Sequence, residues 1–511
     1  MTPPLFDVLI IGSGPAGVSA AFPLVQAGLS VAMVDGANDG KRSNVQQTSN
    51  RIIDSFGSDY SSLVPFDERS PKQRLHRSSQ LSADYNKQTK LRTQEFKATG
   101  AITRGGLSTL WGAYATEFDD EDLKEYPFNA MDLRESYTSI AQRIGISGTH
   151  DDALDEFHGL HTPLQPPPLI HPTAALLLDK FKAAPKKTSL TLGLARNAIL
   201  TRTQNDRQAC VLCKGCLWPC PNDSIYSSLH DLVQLKKFTN FTLIDNFYVD
   251  RLQKNLNNWQ ATALSQSIQA KRIFLAAGTI STTNILLKTL QLPKTSLSLL
   301  SNPVVIMPFL MPRAMLKPSP LNGYSLAQLG LKMDLGSRKY LAGAVYCLDG
   351  IPLDFMSANL PFSLATSAHI SSWVSNSIIL VTAYFDGATS DNKISTDARG
   401  LNITGGLSSD FETQSKIALM KLRRAFYKLG AVPLPGTKVA SPGVDNHLAG
   451  TCPMGGSGPL ATDSLGQLLA LKGVHVVDGA SLPTLPAKHL TFSIMANADR
   501  ISKKVLMLEA F

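Results

Sequence analysis

No uncharged apolar run of about 20 residues occurs anywhere in this chain, so a membrane-spanning helix is not expected. Dense runs of Lys and Arg are also missing. The net charge of +9, from 49 basic and 40 acidic side chains over 511 residues, reads as an ordinary solvated surface and speaks against a nucleic-acid-binding arm. No basic segment precedes the first apolar run, which passes directly into a glycine turn at Gly12. That is not the build of a secretory leader, and a cytoplasmic location is the default expectation. No internal repeat is apparent. Cysteine is scarce, with six in all. A chain of this length that is 43% hydrophobic can bury a large core and is expected to divide into two domains.

The first residues carry the strongest pattern. Leu5–Ile11 is a short apolar run, Gly12-Ser13-Gly14-Pro15-Ala16-Gly17 follows, and a helix-like segment leads to Ser30–Asp35. This is a βαβ unit with G-x-G-x-x-G at its first turn. In such a unit Gly12 permits the tight turn, Gly14 lets backbone approach a pyrophosphate and Gly17 allows close helix packing. Pro15 and Ala16 open the helix whose positive end faces the phosphates. Asp35 ends the second strand, where a ribose hydroxyl would be held. Pro23 conflicts with this reading, because a proline inside the helix removes a backbone hydrogen bond and is expected to kink it.

Between Gly36 and about residue 100 the chain turns polar, as in Lys41-Arg42-Ser43-Asn44 and Ser70-Pro71-Lys72-Gln73-Arg74, and reads as a surface excursion. It ends at Gly105-Gly106-Leu107-Ser108-Thr109-Leu110-Trp111-Gly112. Glycines beside hydroxyl side chains can bring backbone amides close to a planar ligand. Tyr126–Leu133 reads as a turn with an N-cap before a helix running through Tyr137 and Ile140. Five prolines between Pro163 and Pro172 then read as an extended connector. Phe241–Ile244 and Trp259–Leu264 read as strands, as does Ser377–Val381. Lys271–Leu275 leads through Ala276-Ala277-Gly278 into a helix-like run.

Near the C-terminus stand Asn446-His447-Leu448-Ala449-Gly450-Thr451-Cys452, Val476-Val477-Asp478-Gly479, and Lys488-His489-Leu490-Thr491. Strand ends and their turns are where ligands bind in open α/β sheets, so this order can bring both imidazoles to one mouth. An imidazole titrates near neutrality and suits proton transfer there.

Taken together, these blocks resemble the glucose-methanol-choline (GMC) family of FAD-dependent oxidoreductases. The resemblance implies an α/β protein: a Rossmann-type FAD-binding domain with a second substrate domain containing an antiparallel sheet. The segments would be 1–125, 190–290 and 445–511 for the first, and 126–189 and 291–444 for the second. It implies cofactor contacts from Gly12, Gly14, Pro15, Ala16, Gly17 and Asp35, from Gly106, Ser108, Trp111 and Gly112, and from Ala277, Gly278, Asp478 and Gly479. His447 and His489 would be catalytic, one taking a hydroxyl proton and the other holding the oxygen, while hydride passes from an alcohol or sugar to FAD. Some sugar oxidases of that family attach the flavin covalently through a histidine near the position of Leu110; leucine cannot, so a non-covalent FAD is expected. The electron acceptor is left open.

Cys210, Cys213, Cys216 and Cys220 have the spacing C-x2-C-x2-C-x3-C-P of a ferredoxin iron–sulfur run. A cluster held by these four, in an electron-transfer flavoprotein, is the alternative reading. A zinc site, a disulfide and plain packing are its rivals.

Overall fold

The computed structural model describes residues 5–37, 84–184, 189–216, 220–255, 257–264, 266–315, 320, 322–336, 339–348, 363, 366, 370, 374–397 and 399–508. The polar stretches at Lys41–Asn44 and Ser70–Arg74 lie outside them.

Three sheets organise these residues. The first is built on β1 (Leu5–Ile11), whose residues Val8–Ile11 pair in parallel with β2 (Val31–Val34) on one side, while β8 (Gln266–Leu275) runs parallel on the other. Outside them, β5 (Phe241–Ile244) extends β2 and β18 (Val474–Val476) pairs with β8, both parallel. An antiparallel hairpin of β6 (Arg251–Asn255) and β7 (Asn258–Ala263) also borders β8. Every residue of β2 is buried, the signature of a parallel sheet covered on both faces. Helix α1 (Pro15–Gln26) covers one face and buries ten residues, Ala16 through Val25.

Pro23 does not interrupt α1, which continues through it to Gln26. Packing accounts for the proline's place there: the helix lies against the C-terminal helix, and Phe22, Leu24 and Val25 share a core cluster with Ala498, Ile501 and Val505. Burial of such side chains is worth about 1.5–3 kcal/mol each, enough to offset a lost hydrogen bond and its steric cost of about 3 kcal/mol.

The second sheet is antiparallel. Its order is β16 (Val432–Pro433), β10 (Val304–Leu310), β13 (Ile378–Tyr384), β12 (Lys339–Cys347), β11 (Leu329–Gly336) and β4 (Leu190–Leu194), with β17 (Lys438–Val439) also on β10. Alternation sorts its side chains. Ile379, Val381 and Ala383 enter a core shared with the helices Pro172–Ala183 and Phe411–Lys428, whereas Tyr384 points to the opposite face. A third, small sheet joins β3 (Arg92–Gln94) to β15 (Gly400–Thr404), β14 (Asn392–Asp397) and β9 (Ser296–Leu299).

The chain therefore has the expected combination of a nucleotide-type parallel sheet and an antiparallel one, but the segment boundaries need correction. β4, assigned with 190–290 to the first unit, pairs with β11 of the second sheet. Helix α2 (Ala130–Ile144), assigned with 126–189 to the second unit, packs on α3, our label for the C-terminal helix (Thr491–Leu508): Leu133, Tyr137 and Ile140 share a core with Phe492, Met495 and Ala496, and the hydroxyls of Tyr137 and Ser493 lie 2.6 Å apart. β3 from the first block completes a sheet whose other strands come from the second. Local pattern cannot show which neighbour a strand will choose, because pairing is decided by partners far away in sequence.

Candidate active site

Three glycine turns meet beside the parallel sheet. Gly12 has φ +108°, and a Cβ there would lie 2.4 Å from the Ala276 carbonyl oxygen. Gly17 is as confined, since its Cβ would come 2.0 Å from the oxygen of Gly12. Gly14 behaves differently: a Cβ there would meet nothing within 4 Å, and no side chain caps the helix that it opens. Backbone amides of α1 thus border open space, the arrangement that receives an anionic group. Gly278, at the turn between β8 and the following helix (Thr279–Thr289), borders open space in the same way, and so does Gly112. Gly106 closes the set, its added Cβ lying 3.6 Å from the Gly14 Cα.

Side chains fasten these turns to one another. Gly105 N donates to Ser13 Oγ at 3.0 Å, and Ser13 Oγ donates to Asp35. Asp35 also accepts from Ala37 N at 2.8 Å; burial pushes its carboxyl up, the hydrogen bonds opposing that shift. Asp35 thus holds the phosphate-type turn from the end of β2, with acceptor capacity left over for a hydroxyl. Ser108 is buried and donates to Gly105 O at 2.6 Å, so it braces the turn from within. Trp111 Nε1 donates to Tyr226 O at 2.7 Å. Asp478 accepts from Gly278 N at 2.8 Å and from Ala480 N at 3.0 Å, tying the Gly278 turn to Gly479; burial pushes its carboxyl up to about 6. Pro15, Ala16 and Ala277 lie in the same turns. Arg104, which carries no sequence motif, forms a two-pronged pair with Asp245 at the end of β5 and anchors the Gly105–Gly112 block to the sheet.

The two histidines are brought together. Their ring centroids are 5.3 Å apart at 78°. Tyr384 stacks on His447 at 5.2 Å and meets His489 edge-on at 5.1 Å, while Tyr114 lies 4.4 Å from His489. Both tyrosines are buried and their phenols are held well above the usual range by desolvation, so they stay neutral. His447 Nδ1 lies 2.9 Å from Asn302 Oδ1, and Asp445 Oδ2 accepts from both His447 N (3.1 Å) and Asn302 N (2.8 Å). Each imidazole is tethered to a glycine turn. Leu448, next to His447, accepts through its carbonyl from Thr279 Oγ1 at 2.7 Å, beside Gly278; His489 O accepts from Thr116 Oγ1 at 3.2 Å, just beyond Trp111 and Gly112.

Behind His489 sits a buried ion cluster. Lys488, 1% exposed, donates to Asp119 at 2.9 Å, to the Glu117 carbonyl at 3.1 Å and pairs with Asp122 at 2.6 Å. Tyr340 donates to the other oxygen of Asp122 at 2.6 Å. Sequence reasoning misses Asn302, Tyr114, Tyr384 and this cluster, because each comes from a segment with no motif and only the fold juxtaposes them.

In the four-cysteine run Cys213 is exposed, Cys216 is buried and accepts from Ser325 N at 3.3 Å, and Cys210 accepts from Leu212 N at 3.4 Å. Leu212 and Lys214 both have positive φ (56° and 60°), so the chain reverses between the thiols. Among the described residues no three His, Cys, Asp or Glu side chains are placed to hold a metal ion. None of the six cysteines is in a disulfide. The run instead clasps Gly323: Lys214 N donates to its carbonyl at 2.9 Å and its amide to Leu212 O at 2.8 Å.

Comparison with known proteins gives two family-model matches and a likeness of fold. Residues 418–498 match the family model of the GMC oxidoreductases, and residues 6–110 match that of the pyridine nucleotide-disulphide oxidoreductases. Among solved structures, the crystal structure of pyridoxine 4-oxidase from Mesorbium loti is similar over 99% of this chain and 100% of that one, with a TM-score of 0.59 at 15% identity, a likeness of fold. No curated protein matches the chain by sequence.

Proposed function

We propose, from the match of residues 418–498 to the GMC oxidoreductase family model, that the chain oxidises the CH–OH group of a small alcohol or sugar with non-covalent FAD. The observation that carries this reading is the imidazole pair, 5.3 Å apart, on two loops each tethered to a glycine turn that borders open space. The residues fit the cofactor. Gly12, Gly14, Pro15, Ala16 and Gly17 would cradle the pyrophosphate, Asp35 would meet the ribose, and Gly106, Gly112, Ala277 and Gly278 would border the rest. Leu110 offers no nucleophile for a covalent link.

When bound, FAD supplies an acceptor for the hydride that leaves the carbinol carbon. The protein does the rest. His447 takes the hydroxyl proton, and His489 holds the oxygen by a hydrogen bond as negative charge develops on it. The product is the carbonyl compound. Buried Tyr114 and Tyr384 wall the imidazoles and restrict water, which strengthens both interactions. Helix α3 starts at Thr491, two residues past His489, and its N-terminal end adds positive potential where negative charge appears.

Anaerobic mixing of the flavin-loaded protein with a panel of sugars and alcohols tests the reading: at least one should bleach the flavin. His447→Ala should retain flavin and lose that bleaching. Undiminished reduction in the variant would remove His447 as the base.

A further inference from the structure

We propose that Asn302 is the positioning residue of the site: it fixes which nitrogen of His447 carries the proton, leaving Nε2 as the proton acceptor. This rests on the reading of His447 as the base. Asn302 is wholly buried, and its side-chain amide is fixed by three partners. Nδ2 donates to Phe385 O at 2.8 Å and to Pro486 O at 3.1 Å. Carbonyl oxygens only accept, so the NH₂ end must face them and Oδ1 must face His447 Nδ1, 2.9 Å away. Oδ1 also only accepts; therefore Nδ1 carries the hydrogen. A neutral imidazole protonated at Nδ1 presents its lone pair at Nε2. Flipping the amide would set Oδ1 against two carbonyl oxygens, which the buried site penalises.

The same side chain ties three ring-bearing segments together. Phe385 follows Tyr384, whose ring stacks on His447; Pro486 precedes His489 by three positions; and Asp445 binds the backbone amides of both Asn302 and His447 through one oxygen. Displacing Asn302 would thus disturb His447, Tyr384 and His489 at once. The titratable groups around His447 include Asp445 on its own loop, Tyr384 on β13 and His489, with Tyr114 behind His489 and Tyr346 beside Tyr384. Its Nδ1 partner is a neutral amide rather than a carboxylate.

The test uses the flavin-loaded protein. Histidine-selective ¹⁵N labelling, with the His447 signal assigned by its loss in His447→Ala, should show the proton on Nδ1 and a bare Nε2; a proton on Nε2 would overturn the proposal and needs no folded Asn302 variant. Asn302→Leu, isosteric and without hydrogen bonds, should lower the limiting rate of anaerobic flavin reduction by about 100-fold, with flavin content and substrate KM little changed. Asn302→Asp should move the acid limb of that rate upward in pH, because a carboxylate at Nδ1 favours the imidazolium. If His447→Ala abolishes reduction while the Asn302 variants keep wild-type rates and pH profile, the Asn302 inference fails and the base assignment stands. If His447→Ala reduces normally, the base assignment itself fails.

Discussion

Gly14 and Gly17 lie three residues apart in one turn, yet the structure predicts opposite consequences when each is replaced by alanine. At Gly14 the backbone has φ −68° and ψ −178°, a conformation alanine adopts freely, and the new Cβ meets nothing within 4 Å. The fold should tolerate the change, and restricting the unfolded chain can add about 0.4–1 kcal/mol of stability. The methyl group would nevertheless fill the space in which a pyrophosphate approaches the backbone. Losing one or two charge-assisted hydrogen bonds of about 1.5–3 kcal/mol each weakens FAD binding by roughly 10- to 100-fold or more. At Gly17 the Cβ would stand 2.0 Å from Gly12 O and 3.4 Å from the Ala276 Cβ, with backbone on one side and sheet on the other. Helix α1 must move off the sheet, at the cost of about 1–3 kcal/mol typical of overpacking. Urea unfolding of the flavin-free proteins and FAD titration by flavin fluorescence separate the two effects. Gly14→Ala should keep or raise the unfolding midpoint and lose affinity; Gly17→Ala should lower the midpoint. Wild-type FAD affinity in Gly14→Ala would refute the assignment of this turn as the phosphate cradle.

Lys488→Met should cost about 3–5 kcal/mol, because it strands the buried Asp122 carboxylate, and adding Asp122→Asn should recover part of that loss; a double variant no more stable than the single one in the same unfolding assay would contradict it. Asp478 predicts a pH effect. Its folded pKa of about 6 lies above the ordinary carboxylate value of 3.8, so its protonated form is favoured in the fold. That stabilisation is fully present below about pH 4 and is lost as pH rises through about 6, amounting to about 3 kcal/mol. Unfolding midpoints of flavin-free wild type should therefore decline across this window relative to Asp478→Asn, and parallel curves for the two would show that Asp478 is not the cause.

Parts of the site are legible in the sequence because their chemistry needs adjacent residues. A phosphate turn is made by neighbouring backbone units, so Gly12-Ser13-Gly14-Pro15-Ala16-Gly17 announces itself. Strand Phe241–Ile244 is read from local pattern, the run Trp259–Leu264 lies one residue off the observed strand Asn258–Ala263, and the N-cap expected within Tyr126–Leu133 is Asn129, whose side chain accepts from Met131 N and Asp132 N. The cysteine run shows the opposite case: its spacing suits a cluster, but no metal-holding group forms among the described residues, and the backbone of the loop holds Gly323. Spacing describes which ligands are available, and only backbone direction says where they point.

By itself, then, the sequence determined the class of fold and the candidacy of the Gly12–Gly17 turn as a phosphate cradle and of His447 and His489 as catalytic groups, since each depends on contiguous residues or on a recognisable block. The tertiary structure alone decided that Leu190–Leu194 joins the antiparallel sheet, that Ala130–Ile144 packs on Thr491–Leu508, and that Asn302, Tyr114 and Tyr384 surround the imidazoles. The physical reason is the same in each case. Pairing, packing and the direction of a hydrogen bond depend on partners tens to hundreds of positions away, and those partners meet only after the chain has folded.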